Sequence, residues 1–499
     1  MLFNKKLIIN LIYWLFVLVL AATVRLWDID HYSLRLDEAQ SIWQASHSLE
    51  FIKAYMLKNV HLPLHNSLLH LWLQYFGSSE VSVRLMAFIP GFLAVPALYF
   101  LSAELIGKER SKLTLLFGAL SPIWVWYSRE IRMYTLLVLM SILSYLFFVK
   151  AFKYGRAKYF VAYTVVNILG MYTHYFFGLA LFVQAAYYLL TVLVKKVRWN
   201  SLGRAAKRRQ FVYFILSAGG LAIVFLPWII ALYKNYGSGT LAPSLVEPTA
   251  FNIILSYFEF TNGFLPEHIT GALIAFWPII ILMGFVYLAK RQNPFSPGIL
   301  LVIIGAFLPV YIVYQVSVAI RPVYLTRYLI LVTPMYYILL AWYFGEVKGR
   351  LKLILLSVFL LSVVSALYIQ ATHYETPVNE NYRDAVNYIE ENAAARDVVI
   401  VAPPYTIYPF QYYYDGEPRV YTMPIWDKKK GAIPEITEER LKTDATFVQK
   451  SHKSMFVLLT MDLDGAKEVK DYFDNHYTKL DKKQFSKYIF VEVYQAEYL

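Results

Sequence analysis

The sequence predicts a polytopic α-helical membrane protein of about eleven transmembrane helices, followed by a small α/β extracytoplasmic domain. Of its 499 residues, 58% are hydrophobic and 16% are charged, whereas soluble domains have about 45–50% apolar and about 25% charged residues. Apolar runs recur from residue 7 to residue 369, and a membrane-spanning helix needs about 20 such residues. From about residue 371 the composition becomes that of a soluble chain. A soluble enzyme, a disordered chain and a fibrous chain are therefore excluded.

The apolar runs define the spans in chain order. We predict them at 7–25, 82–103, 112–127, 133–150, 159–173, 175–194, 211–233, 268–288, 299–317, 323–344 and 352–369. The first run resembles a signal peptide but has no convincing cleavage site, so we expect it to be retained as a span. Basic residues concentrate in alternate short loops, and the positive-inside rule then places the N-terminus in the cytoplasm and the C-terminal domain outside the cell membrane.

Charge is divided unequally between the two parts of the chain. Residues 1–370 carry a net charge of +18 and residues 371–499 a net charge of −5. Because the excess of Lys and Arg follows the cytoplasmic loops, it indicates the lipid bilayer, and no nucleic acid, as the partner of the basic surface. The chain contains no cysteine, which excludes disulfides, thiolate metal sites and a cysteine nucleophile.

Two domains follow from these patterns: a membrane module over 1–370 and an extracytoplasmic α/β domain over 371–499. The outer loop 26–81 contains an amphipathic stretch at 49–57 and an apolar run to Phe76 that is too short for a span and suits an interfacial helix. A second outer segment, 234–267, is rich in Gly, Pro and aromatic residues, and we expect it to act as a lid. In the C-terminal part we predict a helix at 381–392, strands at 397–402, 454–461 and 488–494, and a helix at 465–476.

The polar residues of the membrane module gather at its outer rim, where charged groups are costly and usually functional. Asp37 and Glu38 are adjacent in the first outer loop. One of them could act as a general base on an acceptor hydroxyl, which requires a carboxylate within hydrogen-bond reach. Alternatively, Asp37 could simply cap the start of a helix. The residues alone leave both interpretations open.

Five further residues at this rim are candidates for binding substrate. Arg321 and Arg327 suit phosphate because guanidinium groups form bidentate contacts with it, and anchoring of the chain at the interface is the alternative. Glu130 and Arg132 lie between spans three and four, where an ion pair at the membrane edge is the alternative. His174 ends the fifth span in Tyr172-Thr173-His174-Tyr175.

A divalent cation is possible at this rim. Glu38, His61 and His65 carry suitable ligand atoms, and two histidines four residues apart can share one helix face. Pro63 stands between them and argues against such a helix. The sequence therefore leaves the metal undecided.

The order of these motifs resembles that of the membrane-embedded GT-C glycosyltransferases of the protein O-mannosyltransferase and lipid A aminoarabinose transferase type. Three features bear this resemblance: Asp37-Glu38 after span one, the segment from His61 to Gly77, and Arg84 at the start of span two. Further matching stretches are 121–134, Tyr172-Thr173-His174-Tyr175 and Arg327-Tyr328 before Pro334. Within this type, the likeness is greatest to the rhizobial lipopolysaccharide-core galacturonosyltransferases, and it covers about residues 7–345.

The resemblance implies an inverting transfer of a sugar from a polyprenyl-phosphate donor to a hydroxyl on the outer face. It implies Asp37 as the catalytic base with Glu38 beside it, and Glu130 as a second acidic or polar residue at the edge of the site. It also implies donor-phosphate contacts from arginines, for which Arg132, Arg321 and Arg327 are the candidates. Some relatives use a divalent cation and others do not. The acceptor could be a glycan, a lipid or a protein.

Two other classes of function compete with this interpretation. A transporter or flippase of lipid-linked sugars would favour internal repeats, broken half-helices and charges near the middle of the bilayer. Here the centres of the apolar runs are nearly free of charge. An inactive membrane anchor with a binding domain is the third possibility, against which the intact Asp37-Glu38 pair argues.

Overall fold

The computed structural model describes residues 5–58, 61–193, 204–234, 245–274, 296–373, 380–429, 433–450 and 452–496. Its membrane part consists of helices α1 (Lys5–Leu26), α2 (Leu36–Ala45), α3 (Leu49–Leu57), α4 (Pro63–Phe76), α5 (Glu80–Ile106), α6 (Lys108–Leu120), α7 (Pro122–Tyr127), α8 (Tyr134–Tyr154), α9 (Ala157–Thr173), α10 (Phe177–Leu193), α11 (Arg204–Lys234), α12 (Ala250–Asn262), α13 (Glu267–Ile274), α14 (Pro297–Ala319), a 3-10 helix (Thr326–Val332), α15 (Thr333–Glu346) and α16 (Gly349–Thr372).

Seven helices in the described part of the chain are long and apolar enough to cross a membrane, so the chain is a multi-pass membrane protein. They lie within α1, α5, α8, α11, α14, the 3-10 helix with α15, and α16. The predicted spans 159–173 and 175–194 appear as α9 and α10, which have 17 residues each. The predicted span 268–288 begins in α13, and its remainder lies outside the described residues. The polytopic helical fold is thus confirmed.

The predicted span 112–127 is interrupted at Pro122, which begins α7. Proline has no amide hydrogen, so the Gly118 carbonyl four residues earlier lacks its helical partner. The buried Arg25 side chain replaces it by donating to the carbonyls of Gly118 and Ala119, both at 2.8 Å. Arg129 in turn donates to the Val24 carbonyl at 2.7 Å. Arg25 therefore fastens the end of α1 to the end of α6, and Arg129 fastens it to the turn that follows α7.

The first outer loop folds as three short helices above the bundle. The predicted amphipathic stretch is α3, and the apolar run to Phe76 is α4. In the second outer segment, α12 buries Tyr257, Phe258 and Phe260 in the main core. The part of the expected lid at 235–244 lies outside the described residues.

The C-terminal part contains a five-stranded sheet with helices on both faces. Its elements are α17 (Tyr382–Asn392), β1 (Val398–Ala402), α18 (Ile407–Tyr413), β2 (Arg419–Thr422), α19 (Glu438–Gln449), β3 (Ser454–Thr460), α20 (Ala466–His476), β4 (Lys479–Gln484) and β5 (Ile489–Gln495). The strand order is β2-β1-β3-β5-β4, with β2, β1 and β3 parallel and β5 and β4 antiparallel to their neighbours. Helices α17 and α18 cover one face, and α19 and α20 cover the other.

The sequence predicted α17, β1, β3, α20 and β5 and missed the other four elements of this part. Strand β4 is exposed along its whole length and is rich in lysine. It therefore lacks the alternation of apolar and polar residues on which a strand prediction depends. The remaining missed elements are either short, as β2 and α18 are, or polar on most of their surface, as α19 is.

Candidate active site

The site lies at one end of the helix bundle, around the N-terminus of α2. Four segments meet there: the loop after α1 with α2, the turn between α7 and α8, the turn between α9 and α10, and the 3-10 helix after α14. Each segment follows or precedes a membrane helix at the same end of the bundle. The geometry therefore brings residues distant in sequence to one rim.

Glu38 is buried at this rim and binds backbone amides. Its carboxylate accepts hydrogen bonds from the Arg35 amide at 2.9 Å and from the Ile131 amide at 3.0 Å. Arg84 Nε lies 3.9 Å from it, and Glu38 is 2% exposed. Arg35 occupies the N-cap position of α2, and Glu38, the third residue of the helix, accepts from its amide. The capping that the sequence allowed for Asp37 is thus performed by Glu38.

Asp37 points in a different direction and remains accessible. Its side chain is 42% exposed, and Arg132 Nη2 lies 4.0 Å from its carboxylate. Burial alone would raise the pKa of Asp37, but the charges of Arg132, Arg327 and Arg35 outweigh it and lower that pKa to about 2. By contrast, burial raises the pKa of Glu38 to about 7 in spite of Arg84. At neutral pH Asp37 is therefore an ionised carboxylate that can accept a proton.

Two arginines beside Asp37 have guanidinium nitrogens without partners. Arg132 donates to the Ser41 hydroxyl at 3.1 Å, while its buried Nε makes no hydrogen bond to a described residue. Arg327 lies over the ring of Tyr328 at 5.7 Å, and within the described ranges its buried Nε also lacks a partner. Because Arg25 and Arg84 each have such an Nε as well, what distinguishes Arg132 and Arg327 is their position beside Asp37. Guanidinium groups suit oxyanions such as phosphate.

His174 and His61 complete the surroundings of this pair. His174 Nδ1 accepts from the Phe176 amide at 3.1 Å, and its ring lies 5.3 Å from that of Tyr328. Burial, and then the charge of Arg132, lowers the pKa of both histidines to about 3. Both imidazoles are consequently neutral at pH 7 and do not compete for an anion.

Two of the predicted substrate residues have other surroundings. Glu130 accepts from Trp126 Nε1 at 3.0 Å and lies 3.8 Å from Arg35 Nη1, so it pairs with Arg35 and not with Arg132. Arg321 is exposed, and its charge is not among the main influences on the pKa of Asp37. The structure therefore brings together Asp37, Arg132, His174 and Arg327, with Glu130 behind Arg35 and Arg321 apart.

The three metal candidates do not converge on one point. Pro63 is the first residue of α4, so His61 precedes the helix that contains His65. His65 Nδ1 is 3.1 Å from the Asn66 side-chain oxygen. Over the part of the chain that the structure describes, no group of three or more His, Asp or Glu side chains could hold a metal ion.

Sequence reasoning missed Arg35 and Glu380. Arg35 is two residues before Asp37 and pairs with Glu380, whose carboxylate accepts from Arg35 Nε at 3.0 Å and from the Leu36 amide at 2.8 Å. The position of Arg35 beside the acidic pair was a usable signal. No sequence signal could connect Glu380 with Leu36, because they are 344 positions apart.

Comparisons with known proteins identify the fold. Residues 60–230 match the family described as dolichyl-phosphate-mannose-protein mannosyltransferase. ArnT from Cupriavidus metallidurans in the apo state aligns over 98% of both chains, with a TM-score of 0.62 and 11% identity. The chain has the GT-C glycosyltransferase fold of the ArnT and protein mannosyltransferase type. The resemblance to the GT-C type inferred from its motifs is thus confirmed, and the likeness to the rhizobial galacturonosyltransferases stays a prediction.

Other solved structures share this fold. ArnT from the same organism bound to undecaprenyl phosphate aligns over 98% of both chains, with a TM-score of 0.61 and 11% identity. The Archaeoglobus fulgidus oligosaccharyltransferase in complex with Zn and sulfate aligns over 97% of this chain and 73% of its own, with a TM-score of 0.57 and 12% identity. No curated protein sequence matches the chain.

Proposed function

We propose that this protein is a membrane glycosyltransferase that moves a sugar from a polyprenyl-phosphate donor to an acceptor hydroxyl on the outer face of the cell membrane. The observation that carries the proposal is the ionised, accessible carboxylate of Asp37 beside two arginines with unpartnered guanidinium nitrogens. The match to the mannosyltransferase family and the likeness to ArnT bound to undecaprenyl phosphate support a lipid-linked donor.

In this proposal Asp37 is the general base. The acceptor hydroxyl gives its proton to the Asp37 carboxylate as its oxygen bonds to the anomeric carbon of the donor. The bond from that carbon to the phosphate oxygen breaks at the same time, and polyprenyl phosphate leaves. Glu38, the adjacent carboxylate, is buried and occupied by two backbone amides. With a single carboxylate facing the arginines, direct displacement inverts the anomeric centre.

Arg132 and Arg327 are assigned to the donor phosphate. Their charges would stabilise the negative charge that develops on the leaving phosphate, which is the main electrostatic task of such a site. They also keep Asp37 ionised before the donor binds. Once the phosphate neutralises them, the pKa of Asp37 rises, and the carboxylate becomes a stronger base when the donor is in place.

His174 is assigned to the wall of the donor site. Its neutral ring lies among Tyr134, Phe176 and Tyr328. Since its Nδ1 accepts the Phe176 amide, its Nε2 bears the proton and can donate to a sugar hydroxyl or a phosphate oxygen. Glu130, predicted as a substrate-binding residue, is instead assigned to orienting Arg35, with which it pairs, and Arg321 is assigned to a contact at the entrance.

The alternative is a transporter or flippase of lipid-linked sugars. A carrier that only moves its substrate needs charge to hold the phosphate but no base aimed at it. The accessible Asp37 carboxylate beside Arg132 and Arg327 therefore favours transfer over transport.

The test uses purified protein in detergent, a panel of labelled polyprenyl-phosphate sugars as donors and a membrane extract as acceptor. We expect release of sugar from one donor by the wild type. We expect Asp37→Asn to lower the rate by about 1,000-fold, because loss of a general base has effects of 100- to 10,000-fold. Asp471→Asn, a change of an exposed carboxylate on α20, is the matched control and should retain the rate.

Two outcomes would contradict the proposal in different ways. Turnover by Asp37→Asn close to that of the wild type removes Asp37 from the role of base. Failure of the folded wild type to release sugar from any donor with acceptor present contradicts transfer. A flip assay in liposomes would then test the transporter.

A further inference from the structure

The N-terminus of α2 is held by Glu380, a residue of the C-terminal part of the chain. Arg35, at the N-cap position, has no side-chain oxygen with which to cap the helix. The first amides of a helix need acceptors from outside it. Glu380 provides one, since its carboxylate accepts from the Leu36 amide at 2.8 Å. The same carboxylate accepts from Arg35 Nε at 3.0 Å.

The backbone around Glu380 is fixed by hydrogen bonds and by the burial of Tyr382. Its side chain is 14% exposed. The Ser33 hydroxyl donates to its backbone carbonyl, and the Tyr382 amide donates to Ser33 at 3.1 Å. Tyr382 is fully buried beneath the sheet, where its hydroxyl lies 3.1 Å from that of Thr460. The position of the Glu380 carboxylate is therefore defined by the core of the C-terminal part.

We propose that Glu380 is a positioning residue for Asp37, so that the C-terminal part of the chain completes the catalytic site. The first turn of α2 has two acidic contacts, Glu38 from within the helix and Glu380 from outside it. Asp37 directly follows Leu36, whose amide Glu380 holds. The proposal rests on the role of Asp37 as the base.

Loss of the Glu380 carboxylate should slow catalysis because it would misplace Asp37. Without the Glu380 carboxylate, the Leu36 amide and the Arg35 guanidinium lose their shared acceptor, and the first turn of α2 can rotate or fray. A misplacement of about 1 Å in a reacting group can cost about 100-fold in rate. Donor affinity should change little, because Arg132 and Arg327 lie on other segments of the chain.

The first test measures kcat and the KM for the donor in Glu380→Ala and Glu380→Gln. We expect Glu380→Ala to lower kcat by about 100-fold, with KM within about twofold of the wild type. Glu380→Gln keeps one acceptor oxygen and should recover part of the rate. In an Asp37→Asn background, Glu380→Ala should have no further effect, because residues that act as a unit are not additive.

Arg383→Gln is the matched control. It removes the ion pair with Glu80, at 2.5 Å, and hydrogen bonds to the Asp30 and Tyr32 carbonyls. These contacts tie the same segment to the start of α5 and to the loop before α2, but they leave the Leu36 amide and Arg35 with their Glu380 acceptor. We expect it to leave kcat within about twofold. An equal loss of kcat in this control, a rise of KM alone in Glu380→Ala, or an additive loss in the Asp37→Asn background would each overturn the proposal.

Hydrogen exchange gives a readout that does not need activity. Glu380→Ala should speed amide exchange in peptides covering residues 34–45, and Arg383→Gln should not. Unchanged exchange in Glu380→Ala means that Glu380 does not hold α2. If the wild type releases no sugar while Glu380→Ala speeds this exchange, the proposed function fails and the structural contact stands.

Discussion

The two sides of helix α2 differ in how their charges are satisfied. On one side Glu38, Arg84, Glu80 and Arg383 are joined in a chain of ion pairs. On the other side Asp37 is 42% exposed and faces Arg132 at 4.0 Å. Carboxylates buried against their partners hold a structure together, whereas an accessible carboxylate beside arginines can meet a substrate. This difference is why we propose a structural role for Glu38 and a chemical role for Asp37.

We call the side of α2 that contains Glu38, Arg84, Glu80 and Arg383 the closed side, and the side that contains Asp37, Arg132 and Arg327 the open side. The largest effect on stability is expected on the closed side, at Glu38. Glu38→Ala leaves the Arg35 and Ile131 amides without their acceptor, whereas Arg84 keeps the Ile29 and Tyr32 carbonyls. Each buried donor left unsatisfied costs about 1–3 kcal/mol, so we expect a loss of about 3 kcal/mol in the free energy of unfolding. Glu38→Gln keeps an acceptor oxygen and should cost less. Unfolding by denaturant in detergent would measure both. A loss below about 1 kcal/mol for Glu38→Ala would mean that the closed side is not structural.

On the open side, Arg327→Ala should weaken donor binding without unfolding the protein. A hydrogen bond to a charged group is worth about 2 kcal/mol, so we expect a rise of about 30-fold in the donor KM. Arg321→Ala removes the neighbouring arginine, which is exposed, and should have a much smaller effect. Equal effects of the two changes on the donor KM would mean that Arg321 also binds the donor phosphate.

The two carboxylates should give stability opposite dependences on pH. Glu38 has a raised pKa, so between about pH 4.5 and 7 the folded protein retains a proton that the unfolded chain has released, and stability falls as pH rises. Asp37 has a lowered pKa, so its contribution is present above about pH 4 and is lost as pH falls towards 2. One pKa unit corresponds to about 1.4 kcal/mol, so the change for buried Glu38 is on the order of 3 kcal/mol. Asp37 is 42% exposed, and solvent screening reduces its change to about 1 kcal/mol or less.

The difference between wild-type and Glu38→Gln unfolding curves measures the first dependence, and that between wild type and Asp37→Asn measures the second. If both differences in the free energy of unfolding change in the same direction as pH rises, the two carboxylates do not occupy distinct environments.

The smallest effect is expected where the closed side reaches the surface. The Arg383 side chain is 33% exposed in its pair with Glu80, and partly exposed ion pairs contribute about 1 kcal/mol or less. Arg383→Gln should therefore lower the melting temperature by only a few degrees. A double-mutant cycle with Glu80→Gln would isolate the pair, and a coupling above about 2 kcal/mol would show that this contact is as important as Glu38.

Much of the membrane part could be predicted because its signal is local. The apolar runs at 7–25 and 82–103 became α1 and α5, since the bilayer requires long apolar helices wherever they cross it. Asp37 and Arg132 were named as candidates because charged groups at a membrane rim need a reason to be there. In the C-terminal part, β1 was recognisable as a short, wholly buried apolar run.

Other features depend on contacts that no local pattern encodes. Whether Asp37 or Glu38 faces the arginines is decided by the rotation of about 100° between successive helix residues and by the Ile131 amide, 93 positions away, that Glu38 accepts. Arg321 and Arg327 looked alike in the sequence, but the turn after α14 buries part of one and exposes the other.

The sequence by itself determined a polytopic membrane protein with an acidic pair and several arginines at one rim, because hydropathy and charge are properties of single residues and short runs. Only the tertiary structure decided which carboxylate is free, which arginine nitrogens lack partners, and that Glu380 holds the Leu36 amide from 344 positions away. Those choices are made by packing, which satisfies some polar groups and leaves others open, and packing joins residues without regard to their distance along the chain.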